Sequence, residues 1–194
     1  MKVLGLTGGV GMGKSTCAEL MRARSIPVVD TDDLARDVVQ PGQTALAEIQ
    51  KLFGPEMIGS DGHLRRDMLA RRVFADPDSR RQLEAILHPR IRELWQAQVE
   101  QWRRENRPTS VVAIPLLFET NAEPEFDAVI CVACSSPTQL DRLKARSWSP
   151  QQIQQRIAAQ FPTEQKIARS NYVIWTEGSL EVHAAQLDRI LQLN

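Results

Sequence analysis

"GLTGGVGMGKST", residues 5–16, stands directly behind a methionine, a lysine and two apolar residues, and its reading decides the fold. Five of its twelve residues are glycine. Glycine loses the most backbone freedom on folding and adds no side chain to a core, so bare backbone is required there. Gly8-x-x-x-x-Gly13-Lys14-Ser15 matches the phosphate-loop pattern, with an apolar strand-like run before it and a helical run after it. In such a loop the glycines let successive N–H groups converge on phosphate oxygens, and the following helix turns its positive end toward them. Lys14 is then expected to reach the β and γ phosphates of a nucleotide and the Ser15 hydroxyl to coordinate Mg²⁺.

Outward from this stretch the chain alternates strand and helix. Strand-like runs are "KVLGL" (2–6), "PVVD" (27–30), "SVVAI" (110–114), "AVICVA" (128–133) and "YVIW" (172–175). The pattern predicts an α/β fold: a five-stranded, mostly parallel sheet covered by helices on both faces. Helix is expected over Lys14–Arg24 and from Asp33 through Phe53, interrupted at "QPG" (40–42). Residues 61–108 carry no strand signal and read as several helices, with Pro89 breaking or kinking the pattern. A second helical tract, 135–170, reads as two helices joined by a short hinge, with Ser149 as N-cap and Pro150 at the first helical position. We expect one domain over 1–194 with two helical excursions, an insert at 55–108 and a lid at 135–170.

Bulk properties fit an ordinary globular chain of 194 residues, 42% hydrophobic and 25% charged. Lys and Arg together number 24, as do Asp and Glu, so no global field recruits nucleic acid or an anionic membrane. No leader is expected ahead of the first strand and no apolar run spans a bilayer, which points to the cytoplasm. The three cysteines, Cys17, Cys131 and Cys134, are too few for a disulfide framework. "CVAC" (131–134) lies in a buried-strand run, where an offset of three sends the side chains to opposite faces, so it reads as structural.

Three absences narrow the class. There is no Asn-Lys-x-Asp tetrad for guanine and no Asp-x-x-Gly switch, and the third strand runs into Pro115 rather than into a metal-binding aspartate. What is left is a small-molecule kinase, in which the protein positions an acceptor and neutralises charge. "VVDTDDLAR" (28–36) then bears on the acceptor, because its carboxylates leave a strand at the ligand-binding edge. An alcohol acceptor needs a carboxylate to orient it and take its proton. Asp32 is the candidate base; it could equally be the N-cap of the helix running to Val39. Asp30 is expected to end the strand and Asp33 to begin the helix.

"GLTGGVGMGKST", "VVDTDDLAR…VVQPG", "FG…DGHLRR…L", "HP", "PLLFE" and "Q…R…R" occur in the order, and at about the spacings, of the dephospho-coenzyme A kinase family, which the whole chain resembles. The resemblance implies a fold like that of the nucleoside monophosphate kinases, with a helical acceptor domain and a mobile lid. It implies MgATP-dependent phosphorylation of the ribose 3′-hydroxyl of dephospho-coenzyme A, the last step of coenzyme A synthesis. A monomer is expected. Gly9 and Gly11, Met12, Gly13, Lys14, Ser15 and Thr16 would hold the ATP phosphates. Asp32, at the second aspartate of the family's Asp-x-Asp, would be the base. Arg36 would pair with a substrate phosphate or brace the aspartates. His88 and Pro89 would contact the acceptor, or be a packed histidine beside a helix-breaking proline. Leu116, Leu117 and Glu119 would line the acceptor cleft, though the leucines could be core and Glu119 could orient metal-bound water or start a helix. Arg142 and Arg146, four apart on one helix face, would close over the phosphates. Their tract, 135–170, holds six basic residues against two acidic ones.

Departures from the family pattern are Met12, whose side chain is expected to point outward from the loop, and "ARSNYVIWTEG" (168–178), where the family has Ala-Asp and Asn-x-Gly near the adenine. The rival readings are a kinase of the same core with another acceptor, and a non-catalytic ATP-binding regulator.

Overall fold

The computed structural model describes residues 1–193. β1 (Lys2–Gly8) lies at the centre of a five-stranded sheet with β2 (Val28–Asp30), β3 (Thr109–Ala113), β4 (Ala128–Ala133) and β5 (Tyr172–Trp175). The strand order is β2-β3-β1-β4-β5 and every pairing is parallel. Leu4 faces Val111 on one side and Ala128 on the other. β4 is buried along its whole length, which is why "AVICVA" carries no polar alternation. Since all strands run one way, the ends of β1 to β5 share one edge, the edge at which open α/β sheets bind their ligands.

The chain divides into two compact units. The first comprises Met1–Asp30 and Val99–Asn194, the second Thr31–Gln98. In the first, α1 (Lys14–Arg22) packs Cys17, Ala18 and Met21 on the sheet with Leu4, Leu6, Val111, Ile130 and Val132, joined by Leu187 and Ile190 of α9 (Leu180–Leu193). α6 (Ser136–Ala145), α7 (Pro150–Ala158) and α8 (Thr163–Arg169) complete it. The tract expected as two helices thus holds three, because the chain stops at Gln160–Pro162 and restarts at Thr163. Ser149 forms the expected cap: its hydroxyl accepts from Gln152 N at 3.2 Å, and Ser149 N donates to Gln152 Oε1 at 2.9 Å.

The second unit is helical: α2 (Thr31–Asp37), α3 (Thr44–Phe53), α4 (Arg66–Ala75) and α5 (Pro77–Arg104), whose last turns belong to the first unit. It begins well before residue 55, because Val38, Val39, Ala45, Ile49 and Phe53 form one core with Leu69 and Ile86. Pro89 does not break α5, which runs unbroken for 28 residues. Proline removes one backbone donor, and helix on both sides carries the loss. In the same turn the Arg90 guanidinium donates to the Ile86 carbonyl at 2.6 Å. Asp32 is not an N-cap either, since α2 starts at Thr31 and both Asp32 and Asp33 lie in its first turn.

Among the described residues no helix is long and apolar enough to cross a membrane. Cys17, Cys131 and Cys134 are buried free thiols. Burial pushes Cys17 up to about 12 and Cys131 up to about 11, and no group of three or more His, Cys, Asp or Glu among the described residues is placed to hold a metal.

Candidate active site

The loop Gly9–Gly13 joins β1 to α1, and Gly8 and Gly13 show why it is poor in side chains. A Cβ on Gly8 would lie 2.5 Å from the Val132 carbonyl oxygen, so β4 could not approach. Gly13, with φ of 94°, is left-handed and caps α1 with its backbone alone. Cys17 N makes the first helical bond, to Gly13 O at 3.0 Å. The N–H groups of Gly13 to Thr16 therefore have no acceptor within the helix, an arrangement that with the helix dipole suits an anion. Ser15 and Thr16 are exposed beside it.

Lys14 is buried along its stem, and its ammonium donates to both oxygens of Asp30, at 3.1 and 2.9 Å. Asp30 is the last residue of β2, as expected. Met12 departs from expectation. Its side chain points inward, 2% exposed in the main core, with Thr163 Oγ1 3.7 Å from its sulfur. The core takes the thioether because apolar surface gains more there than in water.

The segment after β5 holds α6 at two points. Thr176 Oγ1 donates to Met12 O at 2.9 Å. Arg142 of α6 donates to Thr176 Oγ1 at 2.8 Å and to its carbonyl at 2.6 Å. Glu177 accepts from the Ser135 hydroxyl, from Thr138 Oγ1 at 2.6 Å, from Trp175 Nε1 at 2.9 Å and from Ser135 N at 3.0 Å. The Ser135 hydroxyl, with the Thr138 and Trp175 side chains, holds its carboxyl down at about 2. Arg142 thus sits beside the phosphate loop, whereas Arg146, one turn on, is exposed with its guanidinium 5.8 Å from the Trp148 ring.

Beyond β3, Leu117 is fully buried, its Cδ1 only 2.8 Å from where a Cβ on Gly5 would stand, and Leu116 keeps partial exposure. Glu119 Oε1 accepts from Phe161 N at 2.7 Å and pairs with Lys166 Nζ at 2.8 Å. Lys166 has no exposed side-chain surface and also donates to the Pro115 carbonyl at 2.7 Å. Glu119 therefore ties the "PLLFE" segment to the α7–α8 junction. Lys166, Thr176, Glu177, Gln139 and Gln160 were not singled out from the sequence. Each makes a contact far along the chain, where no local spacing marks it.

In the second unit Asp32, Asp33 and Arg36 are exposed on α2, and Arg36 Nη1 donates to Asp33 Oδ1 at 3.0 Å. His88 is half-buried in mid α5 and Pro89 is exposed.

A family model described as dephospho-CoA kinase matches residues 2–181. A dephospho-CoA kinase of Bdellovibrio bacteriovorus is 40% identical over 192 residues, covering 99% of this chain and 96% of that one. One of Anaeromyxobacter dehalogenans is 44% identical over 192 residues, covering 98% and 91%. A crystal structure of a Thermus thermophilus protein superposes with a TM-score of 0.83 at 36% identity, covering 99% of this chain and 97% of that one.

Proposed function

Because the chain belongs to the dephospho-CoA kinase family, we infer that it phosphorylates the ribose 3′-hydroxyl of dephospho-coenzyme A with ATP, releasing coenzyme A and ADP. The observation that carries the reading is the glycine loop opening onto α1, with its first-turn N–H groups, the exposed Ser15 and Thr16 and the Lys14 ammonium. These groups suit the β and γ phosphates of the donor.

The acceptor oxygen attacks the γ-phosphorus as the bond from γ-phosphorus to the β–γ bridging oxygen breaks. The acceptor proton passes to a carboxylate, and Asp32, exposed in the first turn of α2, is the group we assign to it. Arg142 and Arg146 neutralise the charge that spreads over the γ-phosphoryl oxygens, with tract 135–170 as the lid. Arg36, His88, Pro89 and Leu116 are assigned to the acceptor.

The donor set suits Mg²⁺ arriving with the nucleotide. Ser15 offers a hydroxyl at the loop, and a hard cation of this size takes its other oxygens from phosphates and water. When bound, it offsets phosphate charge and lowers the barrier to transfer.

A coupled assay tests the reading. Purified protein with MgATP converts dephospho-coenzyme A to coenzyme A and turns over nucleoside monophosphates far more slowly; the reverse ranking overturns it. Asp32→Asn keeps ATP binding and loses transfer by at least roughly a hundredfold. Unchanged turnover in that variant removes Asp32 from the chemistry, and lost ATP binding gives it a different role.

A further inference from the structure

Two glutamines grip one residue of the phosphate loop. Val10 N donates to Gln160 Oε1 at 2.8 Å, and Gln139 Nε2 donates to Val10 O at 2.8 Å. Gln139 is a buried residue of α6, and Gln160 follows α7. Both lie within the 135–170 tract.

The consequence follows from the planarity of the peptide. The loop peptides are trans, so the carbonyl and N–H of one peptide unit point in opposite directions. In the unit joining Gly9 to Val10, the carbonyl accepts from Met12 N at 3.1 Å and the N–H is committed to Gln160. In the next unit Gln139 draws the Val10 carbonyl toward α6, which turns the Gly11 N–H the other way. Two residues on, Thr176 Oγ1 holds the Met12 carbonyl at 2.9 Å and turns the Gly13 N–H in the same manner.

We propose that Gln139 and Gln160 are positioning residues of the phosphate loop: they withdraw the Val10 N–H from the donor set and aim the Gly11 N–H at the triphosphate. The proposal rests on the nucleotide reading above and adds to it which backbone donors meet the phosphates and what orients them. It also makes tract 135–170 a support of the loop as well as a cover for it.

The test separates phosphate recognition from folding. Gln139→Met and Gln160→Met remove the hydrogen-bonding ends at nearly unchanged volume. Each weakens MgATP binding by about tenfold, the worth of one hydrogen bond to a positioned group. Binding of adenosine, which has no phosphates, stays within twofold. Weakening of both ligands alike, or of neither, overturns the proposal.

A measurement on the unsubstituted protein covers the case in which a variant does not fold. In an amide NMR titration with MgATP, the Gly11 and Gly13 resonances shift and the Val10 resonance does not. A Val10 shift as large as theirs overturns the proposal. The coupled assay on the same unsubstituted protein stands apart: loss of transfer there, with the amide pattern as expected, fails the acceptor reading and leaves the clamp intact.

Discussion

At the scale of single residues, charge partners separate what reads from sequence from what does not. Lys14 and Ser15 are legible as residues of the loop and helix start because a contiguous spacing around glycine marks them. Lys166 is not, since in "TEQKIARS" it has the look of a solvated helix face, yet it is fully buried against Glu119. Burying that pair costs solvation of both charges, and removing one partner strands the other. Lys166→Met is therefore expected to destabilise the protein by about 3–5 kcal/mol, read by urea denaturation. Adding Glu119→Gln to it recovers most of the loss. A change below about 1 kcal/mol in the single variant would mean that the pair is not desolvated. Met12 teaches the opposite lesson. A large side chain in a ligand loop looks like an obstacle from sequence, and only the core beneath the loop shows that it has somewhere to go.

Elements were legible where periodicity alone decides them. β4 and β5 fall on the residues their apolar runs predict, and the Ser149-Pro150 start of α7 is where capping chemistry puts it. Pro89 misleads because local rules weigh one lost hydrogen bond, whereas a helix of 28 residues weighs it against many that remain. What steadies α6 was equally hidden, for Glu177 meets its N-terminus from the far end of the chain. With the Glu177 carboxyl held at about 2 against an ordinary 4.5, its contribution to stability is fully present above pH 4.5. It is lost as pH falls through about 2, because the unfolded chain takes up the proton first. Glu177→Gln is expected to lower the thermal midpoint at neutral pH and to flatten its fall between pH 4.5 and 2. A variant with the parent's acid limb would contradict the capping role.

For the molecule as a whole, burial is uneven, and local stability follows it. β1 and β4 lie in the interior of the sheet with almost every residue buried, whereas α4 buries Leu69 alone. Hydrogen exchange should find β4 amides protected at least about a hundredfold more than those of α4; equal protection would mean that the two units open only together. The parallel sheet and its order of helices and strands were readable. The bounds of the second unit were not, because the core that joins Val38, Val39 and α3 to it is visible only in three dimensions. One last consequence comes from the Lys14–Asp30 pair. If the loop takes the triphosphate inferred above, the incoming phosphates meet an ammonium already satisfied by a carboxylate, so drawing Lys14 away from Asp30 offsets part of what its contact with the ligand contributes.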